Sequence, residues 1–565
     1  MLHRFIQYIK QNTILITVIF FGFLFQMIMI MPSGSFYCFD DRCGIHFWSV
    51  HSHDSIWHLA LSSASFNSIP FQIPTLSDHV LTGYNILLDI IVYLLSLTGL
   101  SGLFIFFKII PLIWFAAFTY LGIKVSRIMH NDAIFSAVLL FFFYFAGSFG
   151  YILTLYHHNT LAQSGNILAM QSGNMLTNLQ LALSFVGILG MIFVLMRNYF
   201  SWRSTFLMCG LIFLGIGIKF YGGVISIFII ILYLMNRFIS HKDILTITKH
   251  FFLLLITMLV AVIVFYNPFE TMSSGSILIF SPFALMHAMI EEPDLVYLKD
   301  MVNARYFLYE NGGFSMKLIA IELFSLLLFL IFNFGARIIG FMYLLYKLYK
   351  FQAKKYHIYV LLIIIFSTSL SVFFIQKGVW WNTVQFFYYA IFLSNIFAAE
   401  VIFILFKKKK LLNIFVGILL LISLLPVNYD YLMSTLSSNS AYISTQEIEA
   451  LEYLKKQQDG IVFSSFHFAN DNSKNGFDDT AYIPAFSRKL VYLDNITQLK
   501  LLSLSYEDRL ARIGLNDCTV FQEVDYVYFK KIHSDQYLRA CELVLKKSFT
   551  QSFENEVVRI YSKIK

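Results

Sequence analysis

TILITVIFFGFLFQMIMIM, residues 13–31, carries no charged side chain over nineteen residues. At about 1.5 Å per helical residue it is long enough to cross roughly 30 Å of hydrocarbon. The chain around it has the same character. Of its 565 residues 58% are hydrophobic, 18% aromatic and 13% charged, where an ordinary soluble domain has about 25% charged residues. Composition therefore places the chain in a bilayer and excludes a disordered chain, a collagen-like fibre and a small secreted disulfide scaffold.

Working outward, His3, Arg4 and Lys10 precede this block and no small-residue cleavage site follows it. It reads as an uncleaved anchor with its N-terminal side in the cytoplasm. The loop 32–83 carries Asp40, Asp41, Asp54 and Asp78 against the single Arg42, so by charge it is external. Further apolar blocks follow at 84–100, 103–123, 133–152, 180–196, 204–219, 221–236, 250–266, 316–334, 357–375, 384–406 and 411–427. Basic clusters at Lys124/Arg127, Arg197/Arg203, Arg237/Lys242/Lys249, Lys347/Lys350/Lys354/Lys355 and Lys407 to Lys410 mark cytoplasmic turns. One conflict arises. The stretch 84–123 must carry the chain from outside to inside, yet holds two blocks; either one does not cross, or the charge rule fails at Lys124 and Arg127. The first reading is preferred, and the expected fold is a polytopic α-helical membrane protein of about 11–13 spans.

The formal charge of +8 does not indicate a nucleic-acid partner. From Asp430 onward 16 basic residues face 18 acidic ones, leaving 25 against 15 in the apolar part and its short loops. The surplus follows topology. After Leu425 and Pro426 the composition becomes that of a soluble domain, so 1–428 is read as the transmembrane domain and 429–565 as a small extracytoplasmic α/β domain. There, Ser444 to Glu447 has the S-x-x-E capping-box form, opening a helix with Ile448, Leu451 and Leu454 on one face. Gly460 to Phe466, Lys489 to Leu493 and Val524 to Phe529 read as strands. Cys38 and Cys43 share the first loop, and Cys518 and Cys541 share the C-terminal domain; an oxidising compartment would permit both pairs to close. The repeat Gln163-Ser-Gly-Asn166, Gln171-Ser-Gly-Asn174 is expected to line a surface or a cavity.

The loop 32–83 is the segment richest in chemistry. Asp40-Asp41 lies just beyond the first span, and Asp54 and His58, four apart, share a helix face as an acid and base pair or two metal ligands. His46, His51 and His79 read as ordinary interfacial histidines. No H-E-x-x-H or C-x-x-C element accompanies them, so zinc is disfavoured. Asp89 and Lys108 fall inside apolar blocks, where a charge is costly, and are expected to pair with each other.

These residues carry a resemblance. A first span, a long external loop with an acidic pair, then Asp54-Ser-Ile-Trp-His-Leu-Ala60 and Gly83-Tyr-Asn-Ile-Leu-Leu-Asp89 resemble the GT-C superfamily of polytopic glycosyltransferases, which includes protein O-mannosyltransferases and lipid A aminoarabinose transferases. The likeness implies transfer of a sugar from a polyprenyl-phosphate carrier to a lipid, glycan or protein acceptor on the non-cytoplasmic side, in the plasma membrane. It further implies an acidic base in the first external loop, with Asp40, Asp41 and Asp54 the candidates, since the family's D-E or lone-D pattern is not reproduced in full.

Such a displacement needs a base for the incoming hydroxyl and a cation for the departing phosphate. His58 and the external cations Lys219, Arg305 and Lys377 are the candidate substrate-binding residues. Lys219 opens Lys219-Phe-Tyr-Gly-Gly223, whose glycines would allow close approach to a lipid phosphate; an interfacial lysine is the plain alternative. Trp380-Trp381-Asn382 reads as an interfacial belt, and Ile277 to Ile290 in the loop 267–314 as a re-entrant or interfacial helix followed by Glu291-Glu292-Pro293-Asp294. No cofactor is expected, a divalent metal having no support of its own. The rival readings are a flippase-like transporter, which calls for inverted repeats and concentrated mid-membrane charges where the sequence has no such repeat and few such charges, and a non-catalytic envelope assembly protein.

Overall fold

The computed structural model describes residues 12–39, 42–161, 168–197, 201–241, 244–268, 278–312, 315–436, 440–464, 479–531 and 536–564. Among the described residues nine helices are long and apolar enough to cross a bilayer: Thr13–Ile30, Gly102–Met129, Leu179–Arg197, Phe220–Ile239, Ile244–Tyr266, Met316–Tyr349, Lys355–Phe373, Trp380–Lys407 and Leu411–Leu436. Ala133–Phe145 and Gly150–His158, bent by 45° at the break between them, make a tenth if taken as one span. This is a multi-pass α-helical membrane protein, as the sequence led us to expect, with nine or ten candidate spans among the described residues. The block 84–100 forms only the 10-residue helix Leu87–Ser96, about 15 Å of rise and half the hydrocarbon thickness. Of the two blocks between 84 and 123, only the second is long enough to cross. Trp202–Ile218, at 17 residues, falls just short of the same length.

Trp380–Lys407 is the central helix, packed against Lys355–Phe373, Ile338–Tyr349 and Ala133–Phe145. Ile244–Tyr266 and Leu411–Leu436 are mostly exposed, with apolar side chains turned outward as lipid-facing helices require. The buried Arg337 fastens the break at residues 146–149. Its guanidinium donates to the carbonyls of Ala146 (2.7 Å) and Gly147 (3.1 Å), to Gln171 Oε1 (3.0 Å) and to Asn395 Oδ1 (2.7 Å). Backbone acceptors freed where a helix breaks inside an apolar bundle are satisfied this way.

Two sheets lie at the end of the bundle that carries the first loop. Ser35–Phe39 and Arg42–Phe47 form an antiparallel hairpin closed by the Cys38–Cys43 disulfide, and Ala441–Ser444 adds to its free edge. A five-stranded sheet runs in the order Leu490–Val491, Ile461–Ser464, Tyr526–Lys530, Val558–Lys563, Phe549–Glu554, the first three parallel and the rest antiparallel. The three expected strands are present, residues 465 and 466 of the first lying outside the described ones; the last two were not foreseen. The capping box is present as read: Ser444 caps Thr445–Lys456, its Oγ accepting from Glu447 N–H at 3.3 Å while Glu447 Oε2 accepts from Ser444 N–H at 3.3 Å. Cys518–Cys541 is also closed.

The C-terminal region is bound to the first loop by backbone bonds. Val491 N–H donates to Pro74 O (2.8 Å), Ser77 N–H to Val491 O (3.0 Å) and Asp494 N–H to Thr75 O (2.9 Å). Arg509 adds bonds to Ser77 O and to Tyr492 O. In the loop 267–314 the expected interfacial helix is not formed over its described part. Within that run Leu278–Phe280 is a strand paired with Phe374–Gln376 and helix begins at Ala288, in the short Ala288–Glu291; the longer helix of the loop, Lys299–Gly312, follows the acidic cluster. Proline after Ser281 and the available strand edge favour that outcome.

Candidate functional site

Asp54 opens the helix Asp54–Ala64, and its Oδ2 accepts from Asn178 Nδ2 at 2.9 Å. Asn178 immediately precedes the span Leu179–Arg197 and caps it, Oδ1 accepting from Leu181 N–H at 2.9 Å. Lys219 approaches the same Oδ1 with its ammonium at 3.5 Å. This lysine sits at the break between Trp202–Ile218 and Phe220–His241 and is buried. A carboxylate from the first loop and an ammonium from a helix break therefore meet at one amide.

The glycines after Lys219 do not form the flexible turn the sequence suggested. Both lie within the helix Phe220–His241, where a Cβ on Gly222 would come within 2.8 Å of Ser184 Cβ and one on Gly223 within 3.0 Å of Ile216 Cα. They let that helix pack closely. Tyr221, whose ring centroid is 5.9 Å from Lys219 Nζ, donates to Gln376 Oε1 at 2.7 Å. Asn382 Nδ2 donates to the same oxygen at 2.9 Å, so the segment 374–382 is tied to the helix that follows Lys219. Lys377 lies in this segment, exposed, and Trp380 and Trp381 are exposed beside it.

His58 does not pair with Asp54. The two share a helix face, but His58 Nδ1 lies 2.9 and 3.1 Å from the two oxygens of the buried Asp89, while Asp54 has turned to Asn178. Since the carboxylate accepts, Nδ1 carries the proton and Nε2 faces the Tyr84 hydroxyl at 3.5 Å, the long end of hydrogen bonding. Loss of water pushes the Tyr84 phenol well above its usual value, and the charges of Asp54 and Asp89 act in the same direction. Tyr84 therefore stays a donor. The segment Gly83 to Asp89 is used throughout: Gly83, at φ +69°, donates to Tyr266 O, and Asn85 donates to Ile218 O at 3.0 Å, ending the helix before Lys219.

The remaining expectations are corrected by their partners. Lys108 does not pair with Asp89; it donates to the carbonyls of Met31 and Ser33 and to Ser35 Oγ, holding the start of the first loop. Arg305, a candidate for the phosphate, is engaged by carboxylates. It bonds Glu322 Oε1 (2.7 Å), Glu291 Oε1 (2.9 Å) and His287 Nδ1 (2.9 Å), which occupies its donors locally. Asp294 pairs with His158 at 3.0 Å. His51 is a buried structural group: Nε2 donates to Leu176 O at 3.1 Å and Nδ1 accepts from Ser33 Oγ at 2.7 Å. Of the repeat, Gln171 and Ser172 line a small cavity with Phe185 and Tyr388. Asp40, Asp41, Lys242 and Gln163 to Asn166 lie outside the described residues. Among the described residues no three His, Cys, Asp or Glu side chains gather as metal ligands would, and no ligand set is assigned.

Asn178, Tyr84, Tyr221 and Gln376 were not anticipated. Tyr84 and Tyr221 lay in quoted motifs; Asn178 and Gln376 are single polar residues whose partners are distant in sequence.

No family model matches the chain, and no curated protein matches it by sequence. Solved structures do. The archaeal oligosaccharyltransferase AglB from Archaeoglobus fulgidus, in complex with an inhibitory peptide and a dolichol-phosphate, superposes with a TM-score of 0.52 at 11% identity, over 99% of this chain and 75% of that one. The A. fulgidus oligosaccharyltransferase complexed with Zn and sulfate gives 0.49 at 12% identity, over 97% and 73%. ArnT from Cupriavidus metallidurans, bound to undecaprenyl phosphate, gives 0.39 at 8% identity, over 97% and 98%. At such identities the likeness is one of fold, and the AglB complex carries it: the chain is similar in fold to that archaeal membrane protein.

Proposed function

We propose that the protein is a membrane glycosyltransferase that moves a sugar from a polyprenyl-phosphate-linked donor to an acceptor hydroxyl on the extracytoplasmic face of the plasma membrane. The observation that carries the reading is the meeting of Asp54 and Lys219 at Asn178. Asp54 takes the proton of the acceptor hydroxyl as its oxygen attacks the anomeric carbon. The bond from that carbon to the phosphate oxygen breaks, the phosphate leaves with the electron pair, and Lys219 offsets its charge. Among the described residues Asp54 Oδ1 takes no hydrogen bond and is available to the acceptor. A single displacement of this kind inverts the anomeric configuration.

The burial of Lys219 supports its role, because an ammonium held in an apolar setting gains most from an arriving anion. His58 is a positioning residue held by Asp89, and Lys377 stands at the rim. Both disulfides belong to segments at the Asp54 end, which supports an oxidising, extracytoplasmic setting for that end and for the C-terminal region. The basic clusters support a cytoplasmic side for the opposite ends of the helices. AglB, whose structure holds a dolichol-phosphate, supports the choice of a lipid-phosphate donor.

The test is transfer of labelled sugar from polyprenyl-phosphate donors to a membrane extract, comparing wild type with Asp54→Asn, Asp40→Asn and Asp41→Asn at equal folded expression. Asp54→Asn is expected to lower transfer by about 10²–10⁴-fold, the usual worth of a general base. Loss confined to the Asp40 or Asp41 variant would move the base there. No transfer by wild type from any donor would refute the function.

A further inference from the structure

We infer that Asn178 is a positioning residue that keeps Asp54 and Lys219 from closing on each other, so that the carboxylate stays a base and the ammonium stays open to phosphate. The inference rests on the transferase reading above and goes further, naming what holds its two charges apart.

The amide is fixed in one orientation by its surroundings. One end lies 2.9 Å from Leu181 N–H and 3.5 Å from the Lys219 ammonium, both donors; the other lies 2.9 Å from a carboxylate oxygen of Asp54, an acceptor. Only a carbonyl oxygen toward the donors and an NH₂ toward Asp54 satisfies all three. The capping bond to Leu181 anchors Asn178 to the first turn of a span, so the amide does not follow either charge when it moves.

Consider the site without it. Lys219 is buried at the end of two apolar helices, and an unpaired buried charge next to an opposite one collapses onto it. A direct pair stabilises the ionised carboxylate and makes it a weaker base, while the ammonium is already neutralised when phosphate arrives. The amide gives each charge a bond of the correct polarity without delivering one to the other. Other ionisable groups around Asp54 are His51, Tyr84 and the Asp89–His58 pair, all of which respond to its charge. Among the described residues it is Asn178 that bonds both Asp54 and Lys219.

Asn178→Ser is the informative change. Serine caps a helix about as well as asparagine, so the span should fold, but its short hydroxyl cannot bridge both charges. The full chain in detergent is expected to keep its Tm, while kcat falls at least about tenfold and the acidic limb of the kcat profile moves down by about one pH unit as Asp54 pairs with Lys219. Asn178→Asp places a like charge beside Asp54 and should move the limb up. Opposite movements in the two variants support the bridge. Wild-type kcat and limb in Asn178→Ser, or both limbs moving the same way, would overturn it. A second readout does not depend on transfer: the pH dependence of Lys219 acetylation by acetic anhydride, followed by mass spectrometry. Its apparent pKa should rise in Asn178→Ser, and an unchanged value overturns the proposal. If wild type transfers no sugar, the transferase reading fails while the labelling experiment still decides whether Asn178 separates the charges.

Discussion

Gly44→Ala should separate the C-terminal strand from the first loop. Gly44 faces Ser444 in the ladder between Arg42–Phe47 and Ala441–Ser444. A Cβ built on it lies 2.0 Å from Ile443 O, 2.9 Å from Ile443 C and 3.2 Å from Ser444 Cα, all backbone atoms of the partner strand. An ordinary contact needs about 3.4 Å, so the strand has to retreat by more than 1 Å, and hydrogen bonds near 2.9 Å do not survive such a shift. Losing two to four ladder bonds at about 1 kcal/mol each gives a destabilisation of about 2–4 kcal/mol, in line with the cost of overpacking. The strand sits directly before the capping box of Thr445–Lys456, so the loss should reach the C-terminal region as a unit. Differential scanning fluorimetry of the purified full chain is the assay, with Gly187→Ala as the control. A Cβ on Gly187 meets nothing within 4 Å, and alanine in a helix costs nothing. A Gly44→Ala protein as stable as wild type would refute the reasoning, because it would mean that this strand pairing does not hold the two regions together.

Burial pushes the His51 imidazole down to about 4 from 6.5. The unfolded chain therefore binds the extra proton first, and the stability held by neutral His51 is present above pH 6.5 and lost as pH falls toward 4, by at most about 3 kcal/mol. Tm measured from pH 7 to 4.5 should decline with a slope that His51→Gln reduces; an equal slope in both proteins would contradict this. Removing the Cys518–Cys541 disulfide by a double serine change opens a loop of sequence separation 23 and should cost about 3 kcal/mol. Reductant should lower the wild-type Tm by at least that amount and the variant's Tm by less, since only Cys38–Cys43 is left in the variant to reduce. Arg337→Met strips donors from Ala146 O, Gly147 O, Gln171 Oε1 and Asn395 Oδ1, and should cost about 3–5 kcal/mol. Size-exclusion profiles in detergent should show it aggregating where wild type is monodisperse.

The spans were legible because a run without charge has one destination in water, whatever its tertiary partners. Their ends were not. Residues 84–100 are mostly apolar, yet Gly83 and Asn85 are committed to Tyr266 O and Ile218 O, and the helix begins only at Leu87. The Ser444 capping box was read correctly because both its bonds are local. Phe549–Glu554 was missed because, with most of its residues partly or fully exposed, it lacks the alternation that marks a half-buried strand. At the site, Asp54 and His58 were visible as residues, but local spacing misassigned their partners. His58 found Asp89, 31 positions away, and Asp54 found Asn178, 124 positions away. A lone asparagine carries no motif, and nothing in one sequence distinguishes Asn178 from an ordinary helix cap. Arg305 and Glu291 were both noted, and only the fold shows that they neutralise each other.

The most direct test of the central claim is the release of free polyprenyl phosphate from a sugar-charged donor by the purified chain with an acceptor present, counted against sugar transferred. The account predicts one polyprenyl phosphate released per sugar transferred in wild type, and loss of both together in Asp54→Asn. Wild-type transfer without stoichiometric release, or an Asp54→Asn protein that releases and transfers at the wild-type rate, would contradict it.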